Sequence, residues 1–209
     1  MDNKELKDFS WEMLKGKEVL AGRVGGMPEL NFENALKNAG IEKAEVDINT
    51  SVDFASLTSA FIGSDKDDVF VNLFEPNATK LVSMGYGHVV ASIGEMSGEM
   101  PYTAFNARKS YIEKNEDVLK KFTDAIAKGL EYCNEKSAKE IAQMIIDQFP
   151  DTSINDLISI VQRYKDADSW LETPKIEENL FENLESIMVD SKQIEKYVPF
   201  EDLVVNLYE

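Results

Sequence analysis

Cys133 and His88 are the only cysteine and the only histidine in this chain. A single thiol closes no disulfide within the chain and leaves the redox compartment unread. Zinc sites built from several Cys and His ligands are excluded. A Ser–His–Asp triad could draw only on His88. A lone histidine without partners at motif spacing reads as structural or surface rather than catalytic. Asp and Glu are abundant, yet none stands at calcium-loop spacing. The sequence therefore calls for no metal and no cofactor.

Basic residues are also scarce. Lys and Arg number 22 against 39 Asp and Glu, a net charge of −17. A phosphate backbone demands a basic face, so nucleic acid is not an expected partner, and anionic membrane surfaces are disfavoured on the same ground. The acidity is most simply a solubility feature and says little about a local site. Long apolar runs are missing too: nothing approaches the roughly 20 residues of a membrane-spanning helix. The N-terminal residues MDNKELKDFSWEML are charged and lack the apolar core of a secretion signal.

What the chain does have is a repeated strand–helix unit in its first half. In the first, Lys17–Arg23 reads as a strand, Gly25 and Gly26 as a turn, and Pro28 as the first helical position. Phe32, Ala35, Leu36 and Ala39 follow at helical spacing up to Gly40. Such a turn either leaves backbone N–H groups aimed at a small polar or anionic ligand, or is only a tight strand–helix connection. The second unit runs from a strand at Glu45–Thr50, through a possible cap at Ser51, to a helical stripe of Phe54, Leu57, Phe61 and Ile62. The third opens with the strand Asp68–Phe74, and Pro76 again stands where a helix would start. Gly87–Ser92 adds a fourth strand. This alternation implies parallel pairing with right-handed crossovers, and ligands of such sheets bind beyond the carboxyl ends of the strands. Gly25–Gly26 and Phe74–Glu75–Pro76 both lie at carboxyl ends.

Ile93–Pro101 breaks the pattern and reads as a linker or hinge. Tyr102–Arg108 reads as one strand, and helices follow. Their apolar faces are Val118 to Cys133, Ala138 to Phe149, Ile154 to Tyr164 and Ile176 to Met188, with a last apolar stretch at Val198–Leu207. The strand at Tyr102 has no sheet partner in the second half. Cys133, Trp11 and Trp170 read as packing residues.

Four stretches carry a family likeness: LKGK at Leu14–Lys17, GRVGGMPE at Arg23–Glu29, LFEP at Leu73–Pro76 and PYTAFNARKSYIEKN at Pro101–Asn115, with RYKDADSW at Arg163–Trp170 fitting the same pattern. In that order and at those intervals, the chain resembles the substrate-binding proteins of ABC importers, in the branch that includes nitrate-, sulfonate- and thiamine-precursor-binding proteins. The resemblance implies an α/β fold of the periplasmic-binding-protein type: one parallel α/β lobe plus a mostly helical returning part of the other lobe. It divides the chain into a lead-in over residues 1–16, the second lobe over 17–97, and a hinge, one strand and C-terminal helices over 98–209. Family members begin with an export signal and the first strands of the first lobe. This chain starts just before the crossover, as a fragment or a naturally short version would, with the first lobe completed by self-association or a partner chain.

The resemblance further implies a small-molecule ligand, an ABC permease as partner, and a place on the extracellular face or in the periplasm. A chain complete as it stands, without a signal, would be cytoplasmic. Gly25, Gly26, Met27 and Pro28 carry over as a loop lining the cleft. Phe74 would face a flat ligand. Glu75 would accept from an amine or amide, or else serve as a carboxylate at a helix N-terminus. Asn72, two residues before Phe74, shares its face if the strand is regular. Tyr102 either reaches the cleft or packs. The expected role is binding without chemistry. The alternatives are an enzyme like the thiamine-pyrimidine synthases of this superfamily, which use a reactant histidine and a cysteine-rich motif absent from this chain, or a ligand-sensing regulatory fragment.

Overall fold

The computed structural model describes residues 8–66, 68–167 and 169–208. Within them the chain divides into two units, one of Met1–Gly98 with Asn155–Ile160, the other of Glu99–Ile154 with Val161–Glu209. The architecture is mixed α/β, a small parallel sheet followed by many helices, as the periplasmic-binding-protein type requires.

The first unit is built on three short strands, β1 (Glu18–Leu20), β2 (Asp47–Asn49) and β3 (Val69–Val71), all parallel, in the order β2-β1-β3. Val19 stands opposite both Ile48 and Phe70, and Leu20 opposite Asn49 and Val71. The two-residue period sends these pairs to opposite faces. On one face Val19 and Phe70 pack with Phe32 and Leu36 of α1 (Met27–Asn38). Leu14 and Trp11, from the turn ahead of β1, close that cluster. On the other face Leu20 and Val69 pack with Leu57 and Phe61 of α2 (Leu57–Ile62) and Leu81 of α3 (Asn77–Ser83). The central strand thus sends its helix to one face, while the next two helices cover the other.

Three expectations need correction. Gly87–Ser92 forms no strand; only a single-residue bridge at His88 is present, and Val90 reaches the α1-side cluster from irregular backbone. Much of Ile93–Pro101 is not linker. Ser92 Oγ accepts the Glu95 N–H and starts α4 (Ile93–Ser97). The amides of Asn38 and Asn34 donate to the carbonyls of Met96 and Ser97, meeting groups that a helix end leaves open. Gly98, at φ +84°, ends it. Tyr102–Arg108, finally, is irregular and exposed. A lone strand has no ladder to satisfy it, and none pairs with it among the described residues.

The second unit is helical: α5 (Lys109–Ile112), α6 (Glu116–Glu135), α7 (Ala138–Ile145), the end of α8 (Ile154–Asp166), α9 (Glu178–Asp190) and α10 (Phe200–Leu203). A reciprocal Ser137–Glu140 capping box starts α7. Ile141 and Ala142 are buried there, and Phe181 of α9 meets Phe200 edge-on with ring centroids 5.5 Å apart. Trp170 packs on Tyr164, as Trp11 packs on Phe32. By contrast, Val118 and Phe122 of α6 are exposed, as is Phe105, whose ring meets that of Phe122. Among the described residues, no helix is long and apolar enough to cross a membrane.

Candidate functional site

With all strands parallel, the segments after β1, β2 and β3 leave the same edge of the sheet. The order β2-β1-β3 places the chain reversal between β1 and β3, where open α/β sheets leave a crevice. The β1 segment turns sharply because Gly22 and Gly25 take φ +89° and +71°, values that a side chain resists. At Gly22 a Cβ would come within 3.2 Å of the Phe54 ring. Phe54, from the turn after β2, in turn meets Phe74, from the segment after β3, with ring centroids 4.8 Å apart and planes tilted by 45°. Phe74 remains 42% exposed. The edge therefore presents an aromatic pair backed by bare glycine backbone.

Of the residues singled out from sequence, seven lie in the first unit. Gly25 and Gly26 form the turn, and Met27 and Pro28 open α1. Their N–H groups differ from expectation. Gly25 donates to Glu29 Oε2 at 3.1 Å, and Gly26 to the Arg23 carbonyl at 3.2 Å. The diglycine donors are thus engaged inside the turn rather than aimed at a common point. Asn72 is 7% exposed; its backbone N–H continues the ladder to Leu20 O and its side-chain amide donates to Pro28 O at 2.8 Å. It faces α1, whereas Phe74 meets Phe54. Regular alternation fails between them because β3 stops at Val71. Glu75 accepts from the Thr79 N–H at 2.9 Å and the Thr79 hydroxyl at 3.1 Å, the role of a carboxylate at a helix start. Tyr102 lies in the irregular segment of the other unit.

A family model described as "NMT1-like family" matches residues 2–147, a span that includes all of these positions. The chain belongs to the NMT1-like family. It is also 39% identical over 201 residues to "Putative binding protein YtlA" of Bacillus subtilis (strain 168). That alignment takes in 96% of this chain and 60% of the relative, so the chain spans about 60% of the length of the curated relative it matches.

Two residues at this edge were not singled out in sequence. Phe54 reads there as one more position in a helical stripe, and only the meeting of the β2 and β3 segments reveals it as a wall. Glu29 stands there only as the last residue of the GRVGGMPE stretch. In the structure its side chain is 3% exposed, and its carboxyl is pushed up to about 7, first by burial and then by the adjacent Glu33 carboxylate. Its spacing of four residues from Gly25 was the available signal. Asn31 is also buried beside the core of α1, and its Oδ1 has no hydrogen-bond partner among the described residues.

Proposed function

We propose that this chain is the solute-binding component of an ABC importer, capturing a small, polar, planar organic ligand at the carboxyl edge of the β2-β1-β3 sheet and doing no chemistry on it. The observation that carries this reading is the Phe54–Phe74 pair set against Gly22. A flat π-system gains from offset or tilted stacking on such a face, and the bare Gly22 makes room for the Phe54 ring that forms it. Among the ligands of the resembled branch, a thiamine-pyrimidine-like heterocycle fits better than nitrate or a sulfonate. An inorganic anion would draw on the Gly25 and Gly26 N–H groups, and both are engaged within the turn.

The name of the relative, a binding protein, supports the non-enzymatic reading. The proposed partners are a membrane permease and, over the exposed Phe105, Val118 and Phe122, a second copy of the chain or a further polypeptide. The proposed site of action is the extracellular face or the periplasm. Thermal-shift titration with an aminopyrimidine, an alkylsulfonate, nitrate and a dicarboxylate tests the ligand class. The aminopyrimidine should raise the melting temperature most, and a shift with nitrate alone would overturn the planar-ligand reading.

A further inference from the structure

Glu29 is a buried acid at the third position of α1, and buried carboxylates demand compensation. Oε2 accepts the Gly25 N–H at 3.1 Å. One turn along the helix, Glu33 brings a second carboxylate against it. Lys43 ion-pairs closely with Glu33 and stands 3.7 Å from Glu29 Oε1, but its side chain is largely exposed. The neighbouring elements supply little else. α4, packed along α1, has Glu95 as its one charged side chain, and that is exposed. Arg23, on the turn itself, is exposed as well, and Lys37 lies two helical turns away on α1.

We propose that Glu29 carries a proton against the neighbouring Glu33 carboxylate and that this proton sets how firmly the Gly22–Gly26 turn is held, making Glu29 a positioning residue for the ligand-facing edge. The inference rests on the proposed role of that turn in binding. Burial and a second carboxylate beside it, with only one exposed lysine near, favour the protonated form of Glu29. When Glu29 is protonated, its O–H donates to Glu33, and Gly25 bonds a neutral acceptor. When the proton leaves to solvent, Glu29 is anionic and its bond to the Gly25 N–H becomes charge-assisted, roughly twice as strong. Burial and Glu33 together place the Glu29 carboxyl at about 7, so the exchange falls in the neutral range. The turn is held more firmly above that pH and more loosely below it, and ligand capture follows.

The test needs no ligand. In the 15N-labelled full chain, the Gly25 amide resonance is followed from pH 5 to 9 with its hydrogen-exchange rate. The resonance should titrate with a midpoint near 7, and exchange, corrected for its intrinsic pH dependence, should be several-fold faster below the midpoint. Glu33→Gln should lower the midpoint by a unit or more, and Glu29→Gln should abolish the titration. Glu33→Ala carries the same test where Glu29→Gln fails to fold. A Gly25 resonance flat across this range, or a midpoint unmoved by Glu33→Gln, overturns the proposal and leaves the binding reading standing. A titrating turn in a chain that binds no probe would instead sink the binding reading alone.

Discussion

Phe54 and Phe74 come from segments after the two outer strands, yet their rings meet with centroids 4.8 Å apart. They do so across the segment that leaves the central strand, and Gly22 of that segment lies directly against Phe54. One aromatic edge is therefore assembled from all three strand ends. Phe74 is the more accessible ring and contributes modestly to the core. Phe74→Ala should change the melting temperature little but weaken binding of an aminopyrimidine by roughly two- to tenfold, since a stacked aromatic pair is worth about 0.5–1.5 kcal/mol beyond burial. Calorimetry on the two proteins measures this, and Phe74→Trp should retain the affinity.

Gly22→Ala probes the other side of the same contact. The substitution forces a Cβ into φ +89° and to 3.2 Å from the Phe54 ring. Positive φ alone costs a non-glycine residue about 1–2 kcal/mol. The variant should lose about that much stability in denaturant unfolding. Gly40→Ala, also at positive φ but with open space around its Cβ, should lose no more.

Asn72 ties the end of β3 to the start of α1 through one buried hydrogen bond to Pro28 O. Asn72→Ala leaves that carbonyl without its side-chain donor, at a cost of about 1–3 kcal/mol. The melting temperature should fall, and amide exchange in the first turn of α1 should rise more than in α7. Uniform exchange across both units would contradict a local role.

The pH dependence of stability has two opposing parts. Glu18 is held below the usual carboxylate range, first by Lys66 and then by Asn49, so its stabilisation is full above the unfolded value near 4.5 and is lost as pH falls through the lower folded value. Glu29 is raised. Its stabilisation is full below about 4.5 and is lost as pH rises through about 7. Between those limits, Glu29→Gln should flatten the decline in the urea midpoint with rising pH. A wild-type midpoint that rises from pH 5 to 7 by as much as that of Glu29→Gln would contradict the raised carboxyl.

The strand–helix units of the first half were legible because glycine, proline and period punctuate them: Gly25–Gly26–Pro28 marks the start of α1, and Phe32 and Leu36 mark its buried stripe. The helices from α6 onward were legible through their apolar stripes. The helix at Ile93–Ser97 was hidden because five residues carry no period, and its end is stabilised by Asn34 and Asn38, some sixty positions earlier. Tyr102–Arg108 has strand-like composition, but no strand pairs with it among the described residues, and composition does not report neighbours. At the site, glycine spacing located the turn but could not show that its N–H groups close on Glu29 and Arg23. Nor could alternation foresee that β3 ends before Asn72, which separates Asn72 from Phe74.

On the proposed reading, a planar ligand rests on the Phe54–Phe74 edge beside Gly22. Titrating an aminopyrimidine into the labelled protein, with aromatic and amide resonances followed by NMR, tests it most directly. The largest shifts should fall on Phe54, Phe74 and the Gly22–Gly26 amides, and nitrate should leave them unmoved. Saturable shifts confined to other residues, or nitrate reproducing the same shifts, would contradict it.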